Sequence, residues 1–239
     1  MRFSAALLCV LLLSACTPRV ILPARTPHLA LDGPPPDVVI LSVSGHCSPP
    51  CAAPYANGDD LSSRGTIDRV ADAIAAAGYQ VQVSGYAAGA FDTLESEWVF
   101  PPQRGWVALQ NDFQEMRRRW PELGRRPRIV MLGHSQGVAW LHHLARLNPE
   151  VPIALQIDLD SICAAWQADH ARFFRQLTPQ QAGSPSIATA CDPIWIDGRP
   201  YRGKNIVWPN VERSLEIQSK RLYAPAPKVA GSLSIFCGP

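Results

Sequence analysis

The sequence predicts an α/β fold: a mostly parallel central sheet with helices on both faces. Three observations lead there. β-Branched apolar runs such as "DVVILSVSG" (37–45) and "RIVML" (128–132) alternate with segments whose apolar residues recur at helical spacing. A Gly-x-Ser-x-Gly pentad at 133–137 joins one such run to one such helix. The length of 239 residues, 47% apolar and 18% charged, suffices for one domain with a full core.

The N-terminus, "MRFSAALLCVLLLSAC", has one arginine and then an apolar run too short to span a bilayer as a mature helix, which reads as an export signal. Leu13, Ser14, Ala15 and Cys16 resemble the lipobox of bacterial lipoproteins. That resemblance implies a signal peptide over 1–15, cleavage before Cys16, lipid on its thiol and acylation of the new amine. Several acyl chains make a stable anchor where one does not. Thr17 after the cysteine, by similarity to lipoproteins of two-membraned bacteria, implies the outer membrane. Residues 16–36 are rich in proline and lack a sustained period, as expected of a stiff tether. The folded domain is expected over 37–239.

Cys9 leaves with the leader and Cys16 takes the lipid, so five of seven cysteines remain. In an exported chain they read as disulfide candidates. Cys47 with Cys51 would close the loop "CSPPC", and Cys163 with Cys191 would staple an insertion; Cys237 has no partner. A zinc site competes for "CSPPC", but no second close pair and no paired histidines accompany it. Neither metal nor cofactor is expected. The balance of 22 basic against 20 acidic residues gives no electrostatic reason for a nucleic-acid partner. Six arginines between 117 and 128 are the nearest thing to a basic run, and they suit the C-terminal end of a helix dipole.

Along the domain, "DVVILSVSG" is a buried strand, and "TIDRVADAIAAAG" places Ile67, Val70, Ile74 and Ala77 on one helix face with Gly78 as the stop. "YQVQVSGY" is a second strand. A loop with Trp98, Pro101 and Pro102 then leads into the helix "GWVALQNDFQEMRRRW". "RIVML", the serine turn, a helix to about Asn148 and the strand "PIALQIDLD" follow. Residues 161–203 form an insertion with Trp166, Phe173, Phe174 and Trp195, placed where a lid or a packed cover would sit. No repeat and no phosphate-cradling glycine loop is present.

Gly133, His134, Ser135, Gln136 and Gly137, with strand before and helix after, resemble the nucleophile elbow of α/β-hydrolases. The resemblance to serine esterases and lipases covers most of 37–236. It implies Ser135 as nucleophile, the Gln136 amide as one oxyanion donor, and acyl transfer through an acyl-enzyme on a small-molecule or lipid ester. The second donor is expected from "LSVSGHCSPP": the His46 amide, with Gly45 the alternative. A Leu-Asp at the end of the strand after the nucleophile helix implies Asp160 as the orienting acid, and Asp158, two residues earlier, points to the same side. Asp59 and Asp60 suit a turn and helix start.

The histidine breaks the pattern. The resemblance implies a base after the last strands, yet nothing after His170 is histidine and the chain stops at "CGP" after "KVAGSLSIF". A truncated or frame-shifted C-terminus would leave such an end. His134 should point away from Ser135, His142 and His143 suit surface or packing positions, and His46 and His170 are the alternatives left as base. The rival expectation is a non-catalytic hydrolase-fold lipoprotein with a binding or envelope role.

Overall fold

The computed structural model describes residues 28–45, 60–90, 93–96, 99–178, 185–219 and 232–237. Every residue of β1 (Val38–Val43) is buried, which requires cover on both faces of the sheet. Alternation then sorts the core into two layers. Val39, Leu41 and Val43 join Ile129 and Met131 against Trp106, Leu109 and Phe113 of α3 (Trp106–Glu122) and Trp140 and Leu141 of α4 (Gly137–Leu147). Val38 and Ile40 join Val130, Leu132 and Ile157 against Leu61 of α1 (Asp60–Ser63) and Ile67, Val70 and Ile74 of α2 (Thr66–Ala76).

The remaining strands of the sheet are β2 (Val81–Tyr86), β3 (Thr93–Ser96), β4 (Val99–Arg104), β5 (Arg128–His134), β6 (Leu155–Leu159), β9 (Ser214–Ser219) and β10 (Ser232–Cys237); β7 (Pro193–Ile196) and β8 (Arg199–Arg202) form a separate hairpin. The eight-stranded order is β10-β9-β6-β5-β1-β2-β4-β3, parallel except for the β3–β4 pair. This is the expected α/β-hydrolase architecture, with the strand that carries the serine turn at its centre. Among the described residues no helix is long and apolar enough to cross a membrane.

Two expectations change. The segment with Pro101 and Pro102 is a strand, not a loop. Proline is tolerated there because β4 pairs with β2 only at Tyr86↔Arg104, so few ladder hydrogen bonds are lost. The proline-rich segment from His28 onward also lies on the body instead of standing off it: Leu29 and Leu31 pack against the core, and His28 Nε2 is 2.8 Å from the Pro102 carbonyl.

The insertion is stapled by Cys163–Cys191, with Cα atoms 5.6 Å apart. Trp166 and Phe173 are buried against Trp140 of α4, with Trp140–Trp166 ring centroids 4.7 Å apart. Its inner aromatics are therefore part of the core, while Trp195 on the β7–β8 hairpin is 68% exposed. The other expected pair, Cys47 and Cys51, lies outside the described residues, as does the lipidation candidate Cys16.

Candidate active site

β5 ends at His134 and α4 begins at Gly137, so the chain reverses direction within two residues. Ser135 accepts the strain with φ +56°, a left-handed conformation that costs a side-chain-bearing residue roughly 1–3 kcal/mol. The flanking glycines make the turn feasible. A β-carbon on Gly133 would lie 2.8 Å from the Val138 α-carbon, and one on Gly137 would collide with the Val43 carbonyl. The elbow is tied to the end of β6 in both directions: Ser135 N donates to Leu159 O at 2.8 Å, and Ile162 N donates to Ser135 O at 3.2 Å.

Gln136 precedes the 11-residue helix α4, whose first N–H groups have no helical acceptor and carry the positive end of the dipole. Its side chain is buried and faces the insertion. Nε2 donates to Ala164 O and to Asp169 Oδ2, both at 2.7 Å, and Oε1 pairs with His170 Nε2 at 3.1 Å. The insertion thus grips the residue next to the serine, and His170 sits on that grip with its ring edge against Trp140 and Trp166.

The loop after β1 meets the elbow directly. A β-carbon on Gly45 would fall 2.7 Å from Ser135 Cβ. The Gly45 N–H donates to Asp60 Oδ1 at 3.0 Å, and Leu61 N donates to Ser44 Oγ at 3.1 Å. Gly45, the alternative oxyanion donor, therefore has its amide committed to a carboxylate. His46 lies outside the described residues. Asp60 does start a helix, but it also does more: it is buried, and its Oδ2 approaches His134 Nδ1 to 2.7 Å, an ion-pair distance off the line of a hydrogen bond. His134 is thereby turned to Asp60.

The two candidate acids part company. Alternation puts Ile157 in the α1–α2 layer and Asp158 in the α4 layer, where it meets His142 Nε2 at 2.8 Å and accepts from Gln156 Nε2 at 3.2 Å. His142 Nδ1 lies 3.1 Å from Ile206 O. His142 is thereby held at both ring nitrogens, by the Asp158 carboxylate and the Ile206 carbonyl. Asp160 lies beyond the strand at φ +45°, its Oδ1 accepting from Ser219 N at 2.5 Å and Ser219 Oγ at 2.7 Å, at the end of the sheet where Ser135 stands. The expectation that both carboxylates face one way fails because Asp160 has left the pleat.

Of the two alternatives for the pair on α4, the structure has packing, not surface. His142 and His143 are both buried, the first in that ion pair and the second beside Trp106, and burial, helped by Arg146, pushes His143 down to about 3. Sequence reasoning missed the polar neighbour of the Asp158 pair, Lys204, whose Nζ donates to Ser161 Oγ at 3.0 Å and which burial lowers. Only the return of the insertion onto α4 brings it there. Among the described residues none hydrogen-bonds to the Ser135 hydroxyl, and no three His, Cys, Asp or Glu side chains form a metal-binding group.

No protein-family model and no curated protein matches the chain. Among solved structures, it is similar to one reported with LipS and LipT, two metagenome-derived lipolytic enzymes, at 15% identity and a TM-score of 0.41, over 91% of this chain and 89% of that one. The α/β-hydrolase architecture rests on the strand order and the elbow, not on that likeness.

Proposed function

We propose that this chain is a serine hydrolase of carboxylic esters, working through an acyl-enzyme on Ser135, in a lipoprotein anchored at Cys16 in the outer membrane. The observation that carries the catalytic reading is Ser135 itself, a non-glycine residue at φ +56° between a central strand and a helix N-terminus. Strain of this kind persists where surrounding structure enforces it, and it clusters at reactive positions.

In this reading Ser135 Oγ bonds to the acyl carbon as its proton passes to a base. The Gln136 and His46 amides hold the oxyanion, the alkoxide departs with the proton, and water then releases the acid. Asp160 orients the base. His28, His134 and His142 are committed to Pro102, Asp60 and Asp158, and His170 holds Gln136. His46, the other histidine that the sequence leaves as a base, lies outside the described residues. The envelope placement is supported by the lipobox residues and the export signal.

A non-catalytic role is the second reading, favoured by the absence, among the described residues, of any histidine hydrogen-bonded to the Ser135 hydroxyl. Intact-mass measurement after a fluorophosphonate probe separates the two. Labelling that disappears in Ser135→Ala and falls sharply in His46→Ala supports the hydrolase; an unlabelled, demonstrably folded chain supports the binding role. Loss of the lipid mass shift in Cys16→Ala tests the anchor.

A further inference from the structure

Gln136 is 1% exposed, and a primary amide leaves water at a cost unless its hydrogen bonds are made inside. Here they are made. One Nε2 hydrogen goes to Ala164 O and the other to Asp169 Oδ2, each at 2.7 Å, and Oε1 faces His170 Nε2 at 3.1 Å. An amide oxygen only accepts, so His170 donates from Nε2. Turned over, the amide would set its oxygen against a carbonyl and a carboxylate, so it has one orientation. The three partners lie 28 to 34 positions further along the chain, and each is itself held. Ala164 follows the Cys163–Cys191 bridge, Asp169 ends the short helix Trp166–Asp169, and His170 stands edge-on to Trp140 and Trp166 with ring centroids 4.9 and 4.6 Å away. The main chain of Gln136 differs from its side chain: among the described residues its N–H has no acceptor.

We infer that Asp169 is a positioning residue for the oxyanion hole: by holding the Gln136 side chain it fixes the direction of the Gln136 N–H beside Ser135. This assignment rests on Ser135 being the nucleophile. The peptide between Ser135 and Gln136 carries the donor, and Ser135 at φ +56° is the strained residue on one side of it. Relaxing that strain by turning the peptide would move the Gln136 backbone and, with it, the bond to its β-carbon. A side chain tied at three points opposes the movement. Of the three ties, Ala164 offers only its main chain, and His170 is packed among the tryptophans. Asp169, half-buried at the end of its short helix, is the tie that a side-chain change can release without emptying the core. Losing a whole oxyanion donor costs about 100- to 1,000-fold in rate, and a donor left in place but turned costs part of that.

The test is turnover of p-nitrophenyl butyrate by the full chain, with kcat and KM resolved and the melting temperature measured alongside. Asp169→Ala should lower kcat about tenfold and leave KM within about twofold, because the donor acts on the transition state and not on the bound ester. Asp169→Asn keeps an oxygen that accepts from Gln136 Nε2 and should restore kcat to within about twofold of the parent chain. Gln136→Met keeps the volume and removes all three ties; its kcat should fall at least as far, and it reports even if Asp169→Ala does not fold. A lowered melting temperature with unchanged kcat per folded molecule in both variants would mean that the grip only seats the insertion, and would overturn the inference. So would an Asp169→Asn chain as slow as Asp169→Ala. A parent chain that neither turns over the ester nor takes the fluorophosphonate label would remove the hydrolase reading itself and this inference with it, an outcome distinct from the other two.

Discussion

A β-carbon placed on Gly45 falls 2.7 Å from the β-carbon of Ser135, so the backbone after β1 and the candidate nucleophile touch with no room for a methyl group. Gly45→Ala must displace one of them. Overpacking of this kind costs about 1–3 kcal/mol, and a displacement of about 1 Å near reacting atoms can cost 100-fold in rate. We expect a folded variant with a lowered melting temperature and at least tenfold slower fluorophosphonate labelling. An unchanged labelling rate would break the link between this loop and Ser135.

Asp158 and Asp160 should separate in a paired experiment. Asp158→Ala leaves His142 buried and uncompensated, and breaking such a pair costs about 3–5 kcal/mol. Asp160→Ala removes a half-buried carboxylate held by Ser219, so unfolding free energy should change little while labelling of Ser135 slows by about 100-fold or more. Urea unfolding and labelling rates measured on both variants check this. The reverse pattern would make Asp158 the orienting acid.

His143 predicts an acid-sensitive fold. Burial holds its native value at about 3, far below the roughly 6.5 of an unfolded chain, so between those values the unfolded state binds the extra proton. Its contribution is fully present above about pH 6.5 and declines as pH falls toward 3. At pH 4.5 the loss relative to pH 7.5 should be about 2–3 kcal/mol. His143→Leu should remove that part of the slope. Urea midpoints for both chains at the two pH values provide the measurement, and parallel slopes would rule out His143 as the source.

The Cys163–Cys191 bridge closes a separation of 28 residues, for which loop entropy in the unfolded chain predicts a stabilisation of about 3–4 kcal/mol. Replacing both cysteines by serine should lower unfolding free energy by that order. The inner aromatics of the insertion should stay ordered, because Trp166 and Phe173 are held by Trp140 independently of the bridge. Near-ultraviolet circular dichroism of the double variant should keep its tryptophan signature; loss of that signature would mean that the bridge, not the aromatic packing, seats the insertion.

Much of this was legible in one dimension because it depends on local rules. The strand at 38–43 announces itself as an unbroken β-branched run, the elbow as two glycines around a serine between a strand and a helix, and the 163–191 staple as a cysteine at each end of an insertion. The β4 strand was not legible, because proline reads as a breaker and only the sparse pairing of β4, in which neither Pro101 nor Pro102 has a register partner, excuses it.

By itself, then, the sequence determined the α/β alternation, the central strand, the elbow and which serine occupies it, all consequences of periodicity and of steric demands within a few residues. Tertiary structure alone decided the partners of the polar groups. Asp158 and Asp160 differ by two positions, yet one is buried against α4 and the other is turned to Ser219. Asp60 looks like a helix start until folding sets it between Gly45 and His134. A charge or a hydrogen bond is settled by what lies within about 3 Å in space, and the residues that supply it here come from up to 88 positions away along the chain.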